Sequence, residues 1–262
     1  MIRSLYTAAT GMDAQQTRMD TIANNLANAS TTGFKKSRAD FEDLMSETIR
    51  APQQIDPRGG TQPAPLQVGM GVRTVSTTRS FGQGEAVQTG NALDVSIQGD
   101  GFFRIQRPNG EYAFTRAGAF RVDADGRLVT QRGELVDPQI SVPRDAQKIT
   151  IAADGTITAE IQGRESTPNE LGKLELSMFQ NPAGLEAIGG NLFVETAASG
   201  TAIFGRPGEQ GMGSLNQGFL ETSNVKAVEE MVAMISTQRS YELNSKVIQT
   251  ADQMLQRLTS MR

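Results

Sequence analysis

Near its end the chain reads NVKAVEEMVAMISTQRSYELNSKVIQTADQMLQRLTS over residues 224–260, a stretch that contains neither Gly nor Pro. Apolar residues recur there with heptad spacing, which predicts one amphipathic helix of about 55 Å at 1.5 Å per residue. The apolar residues in this pattern are Ala227, Met231, Met234, Tyr241, Ile248, Ala251, Leu255 and Leu258. Ser223 and Asn224, which come directly before the helix, are its expected N-caps.

The first thirty residues repeat this heptad pattern. Its apolar positions are Leu5, Met12, Met19, Ile22 and Leu26. A run of turn-forming residues at 28–33 is expected to end the helix near residue 30. Two arrangements stay open: the terminal helices form an antiparallel hairpin within one chain, or they bundle with helices of other chains. Bundling is favoured by further apolar residues outside the heptad positions, namely Ala9, Ala23, Val228 and Ile235.

Between the helices the sequence pattern is typical of short strands. Residues 72–81 and 93–97 are rich in β-branched residues, and the second stretch alternates apolar with polar side chains. Asn109-Gly110, Asp125-Gly126 and Asp154-Gly155 predict hairpins with type I′ turns. The sequence therefore predicts an α+β fold in which long N- and C-terminal helices form a coiled-coil-like domain and the centre is an antiparallel β domain.

This pattern also predicts how the chain divides into domains. We expect residues 1–33 and 223–262 to form a terminal helical assembly domain, 34–71 and 210–222 an extended connector, and 72–209 the β domain. Residues 51–66 hold four of the ten prolines of the chain, Pro52, Pro57, Pro63 and Pro65. Because proline favours extended backbone, this stretch is expected to be an extended arm or a surface loop.

The residue inventory excludes most catalytic chemistry. The 262 residues include no Cys and no His, so thiol nucleophiles, imidazole metal ligands and Ser-His-Asp triads are absent. No cofactor is expected, because Gly69-Met-Gly71 lacks the third glycine of a dinucleotide fingerprint. A net charge of −4 argues against a nucleic-acid binder. A pair of carboxylates could still hydrolyse a glycoside, so a secreted wall hydrolase stays open, as does a secreted adhesin that would use the β domain alone.

No apolar run is long enough for a cleavable signal peptide or a membrane span.

Residues 8–12 and 24–35, together with 221–231 and 238–246, closely resemble the signatures of bacterial flagellar rod and hook proteins. The signature positions are Asn24, Asn25, Asn28, Thr32, Gly33, Phe34, Lys35, Ser223, Asn224, Gln238, Arg239 and Tyr241. Residues 90–94, 98–103, 115–120 and 181–185 also resemble this family, so the resemblance covers nearly the whole chain. The length and the proline-rich arm are most similar to the members that form the distal rod.

The resemblance implies a structural protein and not an enzyme. Such a subunit of the flagellar basal body would polymerise helically, through its terminal helices, into the hollow, rigid drive shaft that transmits torque from motor to hook. A proximal rod or hook-type axial protein is the alternative. The implied location is the rod that spans the periplasm, reached by type III export without a cleaved signal peptide.

The resemblance also implies a set of partners. They are further copies of the chain, proximal rod proteins, the hook protein, the surrounding P and L ring proteins and the flagellar type III export apparatus. Neither nucleic acid nor membrane insertion is expected. The proline-rich arm, which the hook protein lacks, would make the shaft rigid.

Overall fold

The computed structural model describes residues 2–50, 53–54, 61–62, 65–161 and 169–260. A long helix lies towards each end of the sequence: α1 spans Ile2–Ala27 and α2 spans Ala227–Ser260. The strands between them are β1 (Ser37–Asp43), β2 (Glu47–Arg50), β3 (Gln53–Gln54), β4 (Thr61–Gln62), β5 (Leu66–Val68), β6 (Val72–Arg79), β7 (Ala86–Gln88), β8 (Val95–Gln98), β9 (Phe102–Gln106), β10 (Tyr112–Thr115), β11 (Phe120–Val122), β12 (Leu128–Thr130), β13 (Leu135–Asp137), β14 (Ala146–Ile151), β15 (Thr156–Ile161), β16 (Asn169–Lys173), β17 (Leu176–Met178), β18 (Glu186–Gly189), β19 (Leu192–Val194), β20 (Ile203–Gly205), β21 (Ser214–Gln217) and β22 (Phe219–Glu221).

The chain divides into two compact units. The helical unit comprises Met1–Leu26, Ser37–Thr78 and Lys226–Arg262, and the β unit comprises Ala27–Lys36 and Arg79–Val225. Helices and antiparallel strands thus occupy separate parts of the sequence, which fits the α+β class. The predicted division of the chain into assembly domain, connector and β domain stays a prediction.

In the helical unit, α1 and α2 lie side by side in opposite directions. The Asn25 side chain near the end of α1 donates from Nδ2 to Oε2 of Glu230 near the start of α2, at 3.2 Å. Fourteen residues earlier, Gly11 lies against Asn244, whose Nδ2 would be 2.9 Å from a Cβ at residue 11. Since α2 also advances fourteen residues between these contacts, the helices run together for about 21 Å.

The coiled-coil-like packing predicted for the terminal helices is wrong. Four residues of α2 follow one another at intervals of seven: Glu230, Thr237, Asn244 and Ala251. This spacing places all four on one side of the helix. Among the predicted heptad residues Ala251 is only 2% exposed, as is its neighbour on the helix Thr237, whereas Met231 and Tyr241 are 45% and 37% exposed. The contacts that join α1 to α2 involve small and polar groups, although the half-buried side chains of Ile248 and Leu255 lie on the same side of α2. Within the described residues, the structure does not show the interlocking of apolar side chains that defines a coiled coil.

The two helix boundaries differ slightly from those expected. α1 ends at Ala27, three residues before the predicted end. α2 begins at Ala227, so Ser223 and Asn224 lie too far upstream to cap it, and the expected N-caps are wrong. The hydroxyl of Ser223 instead accepts a hydrogen bond from the backbone N–H of Val225 at 3.3 Å.

The described residues of the proline-rich arm belong to an antiparallel ribbon in the helical unit. β1 pairs with β6, β2 with β5, and β3 with β4. All four residues of β2 are exposed, so the ribbon has no core on either face of that strand. Pro65 is exposed just before β5, while Pro52, Pro57 and Pro63 lie outside the described residues. The strand pairing was missed because the stretch carries almost no alternation of apolar and polar residues.

The β unit is built on a nine-stranded antiparallel sheet. Its main path runs β11-β12-β13-β9-β10-β19-β18, and β17 pairs with both β9 and β20. Central strand β9 alternates its side chains between two cores. Phe103 and Ile105, both 0% exposed, face the larger core, and Phe102 faces a second core of phenylalanines. Smaller sheets, β14-β15-β16, β8-β21 and β7-β22, complete the unit.

The three predicted hairpins are present, but their turns are not of type I′. In the β9–β10 loop, Arg107 and Glu111 close the ladder, and the N–H of Gly110 donates to the carbonyl of Arg107 at 2.9 Å. Gly110 has a φ of +83°, whereas Asn109 does not have a positive φ. Gly126 and Gly155 occupy the same place in their loops. Each loop thus has three residues with glycine in the left-handed position, the arrangement that forms a G1 bulge.

Candidate functional site

The surface of α2 away from α1 carries an uncovered line of apolar side chains. We call it the apolar stripe; its members are Val228, Val232, Ile235, Leu243, Val247 and Met254. Steps of three, four, seven or eight residues keep these side chains on one side of the helix. Each is 46–70% exposed, and Arg239 and Lys246 fall on the same side. Large apolar side chains in a row on a protein surface mark a site of protein association.

The predicted assembly residues divide between this surface and the interior of the helical unit. Ile22 and Ala251 are buried, and Met231 and Tyr241 are exposed. The half-buried residues are Leu5, Met12, Met19, Leu26, Ala227, Met234, Ile248 and Leu255. The side chain of Leu258 lies outside the described residues. Ala9, Ala23, Val228 and Ile235 are exposed as predicted.

The signature residues Gly33, Phe34 and Lys35 meet Ser223 and Asn224 inside the β unit, where the two end segments of that unit lie together. The Asn224 side chain accepts a hydrogen bond from the N–H of Lys36 at 2.8 Å. Its Nδ2 donates to the carbonyls of Ser80 at 2.8 Å and Gly82 at 3.1 Å. The Asn224 side chain therefore joins two backbone segments, one at residue 36 and one at residues 80–82.

An ion cluster lies at the centre of this junction. It consists of Lys35, Arg116 and Glu221, whose side chains are 0%, 4% and 1% exposed. Nζ of Lys35 donates to Oε1 of Glu221 at 2.6 Å, and Nε of Arg116 donates to Oε2 of Glu221 at 3.0 Å. Burial lowers the pKa of the Lys35 ammonium below its usual value, and the nearby Glu221 carboxylate opposes that shift. One buried carboxylate thus serves two buried cations.

The remaining signature residues lie elsewhere. Asn25 is 2% exposed in the helical unit, where its Nδ2 donates to the carbonyl of Ser37 at 2.8 Å and its Oδ1 accepts from the N–H of Ser37 at 2.9 Å. Nδ2 of Asn191 donates to the carbonyl of Thr32 at 2.8 Å in the β unit. Asn28 is half-buried. Asn24, Gln238, Arg239 and Tyr241 are exposed on their helices.

Sequence reasoning did not single out Arg116 or Glu221. Both occur in quoted family segments, but nothing in the local pattern distinguishes them from surface charges. Their positions, Arg116 between Phe-rich strands and Glu221 after a Gly-rich return, are the only local hints. The interaction of Glu221 with Lys35 spans 186 residues of sequence.

The described residues do not form a metal site or a membrane span. No group of three or more carboxylates among them is placed to hold a metal ion. Within the same part of the chain, neither helix is long and apolar enough to cross a bilayer.

Comparison with known protein families accounts for most of the chain. Residues 5–35 match the family described as flagella basal body rod protein. Residues 96–159 match the D1 domain of the flagellar hook proteins FlgE, FlgF and FlgG, and residues 216–261 match the C-terminal region of basal-body rod proteins FlgE, FlgF and FlgG. The matched regions include most of both helices and the central strands.

Whole-length relatives separate the rod from the hook. The flagellar basal-body rod protein FlgG of Buchnera aphidicola subsp. Acyrthosiphon pisum is 51% identical over 261 residues, covering 100% of both chains. FlgG of Borreliella burgdorferi is also 51% identical, covering 97% of both chains. The flagellar hook protein FlgE of the same bacterium is only 24% identical. The chain therefore belongs to the FlgG family of flagellar basal-body rod proteins, which are structural proteins and not enzymes.

Proposed function

We propose that this rod subunit polymerises helically, through its terminal helices, into the rigid hollow shaft of the distal rod, which transmits torque from motor to hook. The observation that carries the proposal is the apolar stripe of α2. It faces away from α1, and the described part of the helical unit leaves it uncovered. A second copy of the chain supplies the matching surface in every subunit, as a helical polymer requires.

The apolar stripe supports bundling between chains over a hairpin that is complete within one chain. Where α1 contacts α2, the contacts involve Gly11, Asn25, Glu230 and Asn244. These four groups are small or polar, so they themselves contribute little burial of apolar surface. Most of the large side chains of α2 are left for association with neighbouring subunits.

The partners and location follow from this role as parts of the same proposal. The shaft would continue from the proximal rod proteins to the hook protein and pass through the P and L rings. Subunits would reach the growing end through the flagellar type III export apparatus. The heptad residues of both helices would serve as assembly residues, and the signature residues would hold the fold that presents them.

The arm is proposed to make the shaft rigid. Within residues 46–66, strand β2 pairs with β5 and is exposed on both faces. Ile49 and Leu66, in these two strands, are each 54% exposed, so they offer apolar surface to a neighbouring subunit. Contacts of this kind would resist the sliding between subunits that lets a hook-like tube bend.

Removing the helices tests the assembly role directly. A chain that lacks residues 2–26 and 226–262 keeps every residue of the β unit. We expect it to be folded and soluble but unable to form filaments visible by electron microscopy under conditions in which the full chain polymerises. Filaments formed by the shortened chain would contradict the proposal.

A further inference from the structure

We infer that Glu221 is the closing residue of the β unit: the unit cannot complete its fold until this late carboxylate pairs with two buried cations contributed earlier in the chain. Glu221 receives four hydrogen bonds from three separate segments. Oε1 accepts from Lys35 Nζ at 2.6 Å and from the N–H of Gly84 at 2.8 Å. Oε2 accepts from Arg116 Nε at 3.0 Å. The backbone carbonyl of Glu221 accepts from the N–H of Gly33 at 2.8 Å.

Without Glu221, the two cations would be buried beside each other. Lys35 would keep only the carbonyl of Gly82, at 2.8 Å, as a hydrogen-bond acceptor. Arg116 would keep the carbonyls of Gly99 and Gly101, at 2.8 and 2.7 Å. Backbone carbonyls satisfy N–H groups but carry no net charge. The carboxylate of Asp100 also attracts Lys35, but less strongly than Glu221 does, so the repulsion between the cations and their lost hydration would be only partly compensated.

The order of these residues along the chain makes closure a late event. Lys35 and Arg116 precede Glu221 in any chain that emerges N-terminus first. Until residue 221 is available, closing the junction would bury both charges without their partner. Docking of the segments at 33–35 and around residue 84 is then unfavourable. The junction therefore stays open until the last part of the β unit is present.

A double-mutant cycle in the full-length chain tests this mechanism. We expect Glu221→Gln to raise the unfolding equilibrium constant of the β unit about 100-fold or more, because it leaves buried cations unpaired. Lys35→Met alone should raise this constant less, since Glu221 keeps its hydrogen bonds from Arg116 and Gly84. Lys35→Met added to Glu221→Gln should lower the constant, because it removes one of the two unpaired charges. The effect of Lys35→Met thus reverses its sign between the two backgrounds.

Native-state hydrogen exchange of the slowest amides of β9 and β10 measures the constant for this unit alone. Glu85→Gln is the matched control, since Glu85 is exposed and only its backbone carbonyl is hydrogen-bonded to Thr222. If Lys35→Met raises the constant by the same factor in both backgrounds, or if Glu221→Gln behaves like Glu85→Gln, the inference is overturned. A Glu221→Gln chain that does not fold should be rescued by adding Lys35→Met, and failure of that rescue overturns it equally.

Kinetics and local exchange provide a second readout. In the full-length chain, the closing role predicts that the Glu221 contacts form after the folding transition state, so Glu221→Gln should speed unfolding of the β unit and leave its refolding rate nearly unchanged. The amides of Gly33 and Gly84, which both bond to Glu221, should lose protection together. Slower refolding by the full equilibrium factor would show that the Glu221 contacts form early, and loss of protection at Gly84 alone would show that they do not act together. Either result overturns the inference.

Discussion

A single charge placed in the apolar stripe should block polymerisation without unfolding the subunit. Val232 is suited to this test because it is 62% exposed and lies in the middle of the first half of the stripe. Val232→Asp changes little in the monomer, since valine and aspartate have similar helix propensities and exposed substitutions usually cost less than about 0.5 kcal/mol. The effect should appear only when a neighbouring subunit covers the site.

The magnitude follows from the exposure of the side chain. Full burial of a valine contributes roughly 1.5–3 kcal/mol, so covering the part of Val232 that is still exposed contributes about 1–2 kcal/mol per contact. A carboxylate buried there without a partner adds a cost of about 3–5 kcal/mol. The sum is about 4 kcal/mol or more, which corresponds to a roughly thousandfold higher concentration for polymerisation.

Pelleting of filaments over a range of protein concentrations measures this shift, and circular dichroism checks that the helices remain. Gln249→Asp is the control, because Gln249 is exposed on α2 to one side of the apolar stripe and gains the same charge. Leu255→Asp is a less clear test, since Leu255 is half-buried within the subunit itself. If Val232→Asp polymerises at the same concentration as Gln249→Asp, the stripe is not an interface between subunits.

Two further changes test the junction and the arm. Gly33 has a φ of +69°, and a Cβ there would lie 2.7 Å from the backbone nitrogen of Ala117, so Gly33→Ala should destabilise the β unit by about 2 kcal/mol or more. Gly110→Ala is the control, because Gly110 also has a positive φ, +83°, but a Cβ there would meet no atom within 4 Å. Denaturant unfolding of this variant should show only the cost of backbone strain. Equal losses of stability in the two variants would refute the predicted clash at Gly33. Deleting residues 46–66 should leave polymerisation intact but give curved or flexible filaments. Filaments as stiff as those of the full chain would place the source of rigidity elsewhere in the subunit.

Sequence patterns predicted the elements whose causes are local. The heptad spacing and the absence of Gly and Pro indicated α2 almost to its observed bounds, Ala227–Ser260. Glycines at 110, 126 and 155 marked hairpins because only glycine readily adopts a positive φ. The turn type was wrong, since it depends on whether the ladder closes across two or three residues. That choice is made by strand register and not by the Asn-Gly or Asp-Gly pair.

Short or exposed strands were harder to predict. β2 is exposed along its whole length, so it has no buried face to impose an alternating pattern. β22 spans only three residues, Phe219–Glu221, yet it carries the carboxylate at the centre of the ion cluster. A strand this short has no period from which its inward-facing residue could be identified.

By itself, the sequence determined that long helices lie near both ends, that the middle is antiparallel β structure and that the chain resembles flagellar axial proteins. Only the tertiary structure decided which side of α2 meets α1 and which side stays free. Heptad spacing places apolar residues on a helix but does not choose their partner, and here small and polar groups at Gly11 and Asn244 occupy the helix contact. The pairing of Lys35 with Glu221 is likewise set by the tertiary structure. A contact across 186 residues depends on the path of the chain and has no signal in the local sequence.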